Sequence, residues 1–376
     1  MITRRYKRLV TGVLLAASAW LLSSGSTAQA QSSRWFTEWT VPTGASEPLF
    51  ARPVTDDTVF FTERLAGKLG RLNPETNAIT EWTVFGFPHD LTFGFGGVFF
   101  ANQSGFIGKL MPGTSQVTYW PVALGIPEHL KLAGNTVWFT DAAGRIGRLN
   151  LLSGALRLWS IPGSDPANGI DIDRTGRFIA FLGVTNVGIL DTATNTFYQW
   201  AEPVSVTPGT NGHVQFSGKY LFFASNNPTP LNRLNPVTNI VRSWALPAAS
   251  GIGDLSVRQD EDTEDASATV DFTESIGKIA TFDTDAPGVD APETPTVTPV
   301  VPVDSVVTPS TFGVSKTNTT VTPVRTLVTG VRTGEFVEWA VPTAGSLPGG
   351  ISRLEDEGLL FTERTGNKIG LLSAGD

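Results

Sequence analysis

Three histidines are all that this 376-residue chain contains, and each sits in a similar short context. They are Pro88-His89-Asp90-Leu91, Pro127-Glu128-His129-Leu130 and Asn211-Gly212-His213-Val214. Imidazole exchanges protons near neutral pH, so His89 and His129 are the candidate general bases. Glu128 adjoins His129, and Asp141 follows twelve residues after it. Carboxylates bind hard divalent cations, which makes this pair the candidate metal ligands. Asn102 and Gln103 carry amides that can orient a substrate; with His213 they form the candidate substrate-binding set. No serine–histidine–acid arrangement, phosphate-binding glycine loop or nucleotide motif is evident.

The elements that must hold these residues follow from a repeat. Trp39, Trp82, Trp120, Trp159, Trp200, Trp244 and Trp339 are separated by 43, 38, 39, 41, 44 and 95 residues. Five of them stand three residues before a proline, at Pro42, Pro162, Pro203, Pro247 and Pro342. A repeat of about 40 residues built from short β patterns is the signature of a propeller blade. In the second unit the strands read Pro88 to Phe93, Val98-Phe99-Phe100-Ala101, Phe106-Ile107-Gly108-Lys109-Leu110 and Val117 to Val122. The second strand recurs as Val59-Phe60-Phe61-Thr62-Glu63, Val137-Trp138-Phe139-Thr140-Asp141, Val270-Asp271-Phe272-Thr273-Glu274 and Leu360-Phe361-Thr362-Glu363. The third recurs as Leu69-Gly70-Arg71-Leu72, Ile146-Gly147-Arg148-Leu149, Ile276-Gly277-Lys278-Ile279 and Ile369-Gly370-Leu371-Leu372. This spacing predicts an all-β fold, a seven-bladed β-propeller of four-stranded blades. All three histidines fall at starts of innermost strands, near the mouth of a central channel. Adjacent strand residues point to opposite faces, so Glu128 and His129 converge only if the strand begins with a bend. The tryptophans, on outer strands, are expected to fill gaps between blades. Glu63, Glu274 and Glu363 end second strands, each after a repeat threonine, and are expected to have a structural hydrogen-bonding role.

The two ends of the repeat complement each other. The chain stops after the third strand of the seventh unit, and Trp35 to Val41 is a fourth strand with no blade before it. The N-terminal strand is therefore expected to close the ring and to pair two sheet edges. Residues 286–332 interrupt the sixth unit with seven prolines among Val, Thr and Ser. Proline at this density removes ladder donors, which predicts an extended or disordered loop at the outer rim.

Residues 1–30 read as a secretory signal peptide. Arg4, Arg5, Lys7 and Arg8 precede an apolar run from Leu9 to Leu22, and Ala28-Gln29-Ala30 is a small-x-small cleavage site. An exported protein, periplasmic or extracellular, is expected, with residues 31–376 as one propeller domain. With no cysteine, disulfides, thiolate metal sites and a lipoprotein anchor are excluded. Four basic residues and no acidic one leave with residues 1–30, which takes the net charge from −8 to −12. That charge argues against nucleic acid or an anionic membrane as partner. The acidic cluster Asp260-Glu261-Asp262 with Glu264 and Asp265 lacks calcium-loop spacing and reads as a solvated loop.

Trp138-Phe139-Thr140-Asp141-Ala142-Ala143-Gly144-Arg145-Ile146-Gly147-Arg148-Leu149 and Phe361-Thr362-Glu363-Arg364-Thr365-Gly366-Asn367-Lys368-Ile369-Gly370 resemble the repeat of virginiamycin B (streptogramin) lyases. The resemblance extends over nearly all of 33–284 and 334–376. It implies a seven-bladed propeller that linearises cyclic depsipeptide antibiotics by elimination, with Mg²⁺ and a histidine base in a Pro-His-x-Ile motif. It also implies glutamates before that motif and at the end of the next strand. Pro88-His89-Asp90-Leu91 fits the motif, but Phe87 and Asn102-Gln103 occupy the places of the glutamates.

The chain is accordingly expected to be a divergent, monomeric propeller of this type, binding a small molecule or protein at the channel mouth, without a transmembrane anchor. The alternative is an active Mg²⁺-dependent lyase using His89 or His129, which needs Glu128, Asp141 or another carboxylate to converge on one histidine. A gluconolactonase-like metal-dependent hydrolase shares the architecture but ranks last, because no set of acidic and amide ligands can be assembled from the sequence.

Overall fold

Phe61 and Gly70 illustrate how each blade is built. In the computed structural model they are cross-strand partners on Thr58–Glu63 and Lys68–Asn73. The phenyl ring lies over the glycine, and a Cβ at Gly70 would sit 2.0 Å from it. Only a residue without a side chain lets the two strands share that space. The pair recurs as Phe100–Gly108, Phe139–Gly147, Phe181–Gly188 and Phe361–Gly370. Blade 6 departs from the expected alignment. Its third strand is Lys278–Asp283, Ala280 opposes Phe272, and Gly277 lies in the preceding turn at φ +80°. The Ile276-Gly277-Lys278-Ile279 reading is therefore corrected: that glycine serves a left-handed turn rather than the ring pair.

The described residues are 33–163, 166–201, 213–224, 231–247, 250–259, 268–354 and 358–374. The signal peptide and the acidic cluster at 260–265 lie outside them. Among the described residues the chain forms seven antiparallel sheets and no helix; none, therefore, is long and apolar enough to cross a membrane. The architecture is an all-β seven-bladed propeller. Blade 1 is Pro48–Thr55, Thr58–Glu63, Lys68–Asn73 and Ala78–Thr83. Blades 2 to 6 begin at Pro88, Pro127, Ile170, Val214 and Ile252, and blade 7 at Pro348. The innermost strands touch in succession around the ring, and Pro48–Thr55 meets both Pro88–Gly94 and Pro348–Arg353. Ser33–Thr40 pairs with Lys368–Ala374 as the fourth strand of blade 7.

Tryptophan connects each blade to the next. Trp39, Trp159 and Trp200 are buried and donate their indole N–H to Asn77, Asn195 and Asn239 of the following blade at 2.8, 2.9 and 3.1 Å. Those asparagines sit in hairpin turns at positive φ, a conformation that asparagine tolerates. Threonines connect the inner strands. The hydroxyls of Thr62, Thr273 and Thr362 donate to the carbonyls of His89, Gly349 and Leu49 in the next blade.

The blades have five strands, not four, and the insertion supplies the fifth. Val289–Pro292, Thr296–Pro299, Val303–Val306, Ser310–Gly313 and Lys316–Thr320 pair with the outer strands of blades 5, 4, 3, 2 and 1. Val324–Thr329 and Val331–Thr333 continue to blades 7 and 6. The expectation of disorder in 286–332 is thus corrected: the segment leaves blade 6, circles the ring once as a belt, and returns to blade 6. Its sequence has a seven-residue period, one heptad per blade. Val300, Val307, Val314, Val321 and Val328 recur at the first position and tuck against the cores. The N–H groups of the first four donate to the turn carbonyls of Asn195, Gly154, Ser115 and Asn77. Pro295, Pro302, Pro309 and Pro323 fall at the third position, in the links before the strands, where no ladder donor is lost.

Blades 1, 6 and 7 share a triad of two buried glutamates and a half-buried lysine: Glu63, Lys68 and Glu81; Glu274, Lys278 and Glu338; Glu363, Lys368 and Glu38. Burial first, then the second carboxylate, pushes Glu63 up to about 8 and Glu363 to about 9. For Glu274 burial and Glu338 outweigh the Ser250 hydroxyl, giving about 7. All three folded values lie above the unfolded value near 4.5, so each neutral carboxyl's stabilising effect is whole below that value and is lost as pH rises through the folded value.

Two outcomes are expected. The melting temperature should fall from about pH 5 to about pH 9, and a Glu63→Gln, Glu363→Gln variant, neutral at both positions, should lose at most about half as much; equal losses would remove the triads as the cause. Cutting the belt at a protease site inserted between Val306 and Val307 should speed unfolding in guanidinium about tenfold, and an unchanged rate would contradict a clamping role.

Candidate functional site

The innermost strands do not begin as regular ladders. Pairing skips between Pro88 and Leu91, Pro127 and Leu130, Pro48 and Ala51, Ile252 and Leu255, and Pro348 and Ile351. In these five blades the bulge leaves two residues outside the ladder and lets at least one of them turn toward the axis. Here the structure brings all three histidines together. Their rings surround Phe50, with centroids 5.5, 5.4 and 5.5 Å from it for His89, His129 and His213. His89 and His129 stand 5.0 Å apart, and His129 and His213 5.3 Å. Phe50 is fully buried, and the histidines are only 6%, 2% and 7% exposed.

Charged groups that the sequence reading missed complete the cluster. Asp254 Oδ1 lies 2.9 Å from His213 Nδ1, and Asp90 Oδ2 lies 3.6 Å from His129 Nδ1. Arg52 bridges the two aspartates at 3.5 Å each and places its guanidinium 5.1 Å from the Phe50 ring centre. Backbone N–H groups of the same blade and the next, Leu91 and Leu130 for Asp90, Leu255 and Ile351 for Asp254, donate to the carboxylates. Burial alone would raise both aspartates; Arg52 and the histidines outweigh it and hold both below the usual carboxylate range. Burial pushes His89 well below its ordinary value, helped by His129, and lowers His213 against the pull of Asp254. Three imidazoles, two carboxylates and one guanidinium therefore pack around an aromatic ring. The alignment of the repeats contained the signal: Phe50, Asp90, His129, His213 and Asp254 occupy the same position in blades 1, 2, 3, 5 and 6.

The remaining predicted residues disperse. His129 turns to the axis, whereas Glu128 turns to Gln103, whose amide donates to it at 3.2 Å. The Glu128 carbonyl lies 2.8 Å from His89 Nδ1. Burial raises Glu128. Asp141 is fully buried and accepts from Arg145 Nε and from the N–H groups of Ile126 and Ala143. Asn102, also fully buried, accepts from Phe87 N and Ser104 N and donates to the Phe85 carbonyl. Among the described residues no three His, Asp, Glu or Cys side chains stand together as a set able to hold a metal ion. The residues present do not fit the Mg²⁺ that the family resemblance implies.

Above the cluster the channel mouth has a different character. Arg364 and Arg64 both reach Glu47 at 2.6 Å, Arg64 lies 3.4 Å from the Gln103 amide oxygen, and Gln103 continues to Glu128. Glu47 holds φ +54° immediately before Pro48, a conformation disfavoured for a residue before proline. Exposed Phe87, Ile126 and Leu347 occupy the corresponding place in blades 2, 3 and 7. The mouth thus combines an arc of ion pairs with an apolar collar.

No family model and no curated protein matches the chain. Among solved structures, virginiamycin B lyase from Staphylococcus aureus superposes with a TM-score of 0.65 at 15% identity, over 90% of this chain and 99% of that one. A catalytically inactive histidine-to-alanine form of that enzyme, with quinupristin, gives 0.64 at the same identity and coverage. The chain therefore shares the virginiamycin B lyase-like propeller fold.

Proposed function

We propose that this protein is an exported binding propeller that takes a ligand or protein partner at its axial mouth and performs no chemistry with its histidines. The observation that carries this reading is the burial of His89, His129 and His213 around Phe50. A general base must come within hydrogen-bond reach of the proton it removes, and a plugged channel keeps substrate away. The mouth above the plug supplies what recognition uses: exposed apolar side chains, arginines and a conformationally strained Glu47. The pairing of Ser33–Thr40 with Lys368–Ala374 supports the further reading that the N-terminal strand closes the ring beneath this face. A photo-crosslinking side chain placed at Phe87, on the mouth, is expected to capture an adduct in the protein's own compartment. The same group at Leu152, in a hairpin turn at the opposite end of the strands, is expected to capture none. Equal capture at both positions, or none at Phe87, would remove the axial face as the binding surface.

One observation favours a second reading, an active lyase. Pro88-His89-Asp90-Leu91 lies at the start of an innermost strand in a fold shared with virginiamycin B lyase. Incubation with a type B streptogramin and Mg²⁺, followed by chromatography with mass detection, separates the two. Elimination gives a shifted peak of unchanged mass; the binding reading expects the substrate to persist intact, and product lost in a His89→Ala variant would establish the lyase.

A further inference from the structure

Blade 2 departs from the repeat at four positions, and the four residues meet. Where blades 1, 6 and 7 carry lysine at the start of the third strand, blade 2 has Phe106. Where those blades carry glutamate before the outer tryptophan, it has Tyr119. Where five units place proline three residues after the tryptophan, the segment entering blade 2 has Phe85. Where the other heptads of the belt place Ala, Ser or Thr, the one crossing blade 2 has Phe312. The rings contact in sequence: Phe85 to Phe106 at 5.7 Å, Phe106 to Tyr119 at 5.8 Å, and Tyr119 to Phe312 at 6.3 Å. The Tyr119 hydroxyl accepts the Phe85 N–H at 2.8 Å, which fixes the loop against the blade. Together with Thr308 and Ser310 of the belt they line a cavity of about 440 Å³.

We propose that this cavity is a binding site for a small, uncharged aromatic molecule. Its volume is within the range of ligand pockets, roughly 300–1,000 Å³. The fold does not need these residues, because the other blades are built without them. Phe85 and Phe312 are 62% and 57% exposed, so they contribute little to the core. No charged side chain lines the space, although a charged triad fills the corresponding place in three other blades. A charged ligand would therefore go unpaired, whereas a flat ring extends the edge-to-face series already present. The two belt hydroxyls can meet one polar substituent. The site lies at the outer rim and stands independently of the axial reading.

Titration with indole, followed by saturation-transfer NMR and calorimetry, tests this. Saturable one-to-one binding is expected, weakened about tenfold in Phe312→Thr and similarly in Phe85→Ala at an unchanged melting temperature. Should one variant fail to fold, the other gives the same test, since the two residues lie on different segments. Cyclohexylmethanol, of similar size but without a π-face, should bind about tenfold more weakly than indole. Indole affinity unchanged in the folded variants would overturn the location. Tetramethylammonium binding in place of indole would overturn the ligand class in favour of a cation cage.

Discussion

Phe50 occupies the axis, and the rest of the inner ring is arranged around that one aromatic side chain. A hydrocarbon ring there leaves the flanking His89, His129 and His213 without water, and burial drives the His89 and His213 imidazoles toward their neutral form. The aspartates remain charged in the same place because each receives two backbone N–H groups and shares Arg52. Removing one partner from such a set would strand a buried charge, which is why the cluster acts as a unit. The residues best suited to proton transfer are thereby packed between the blades, which is why the proposed recognition surface is the mouth above them.

The periphery meets the opposite constraint. Each blade of a propeller presents an outer edge with unpaired backbone groups, a hazard for aggregation. Here a single heptad-repeat belt pairs with all seven outer strands. It places one valine or equivalent against each core and one hydrogen bond on most hairpin turns. Because the belt leaves and re-enters through blade 6, it links the stability of every blade to that of the others. The same belt then varies at one heptad, where Phe312 meets the aromatic residues of blade 2.

Much of this was legible in the sequence where the signal was local and repeated. The tryptophan spacing carries the message seven times, the glycine of the third strand five times, and the position of the histidines on innermost strands three times. The belt was not legible at the same scale. Its prolines read as barriers to pairing, yet Pro295, Pro302, Pro309 and Pro323 stand in links, and Pro292 and Pro299 end their strands. A period of seven is invisible to a search tuned to 40. In the site, Glu128 and Asp141 have the right chemistry but the wrong company. Arg145 and backbone donors engage Asp141, and Gln103 meets Glu128. Asp254 was missed because nothing in Gly253-Asp254-Leu255 marks it until it is aligned with Asp90.

A plugged channel requires the axial histidines to be sealed, and the chain permits a direct measurement of that because it has only three. Native protein treated with diethyl pyrocarbonate at pH 7 should acquire no histidine adduct by mass spectrometry on the timescale in which denaturant-unfolded protein acquires all three. Rapid modification of any of the three in the folded state would contradict the plugged channel and return the histidines to catalysis.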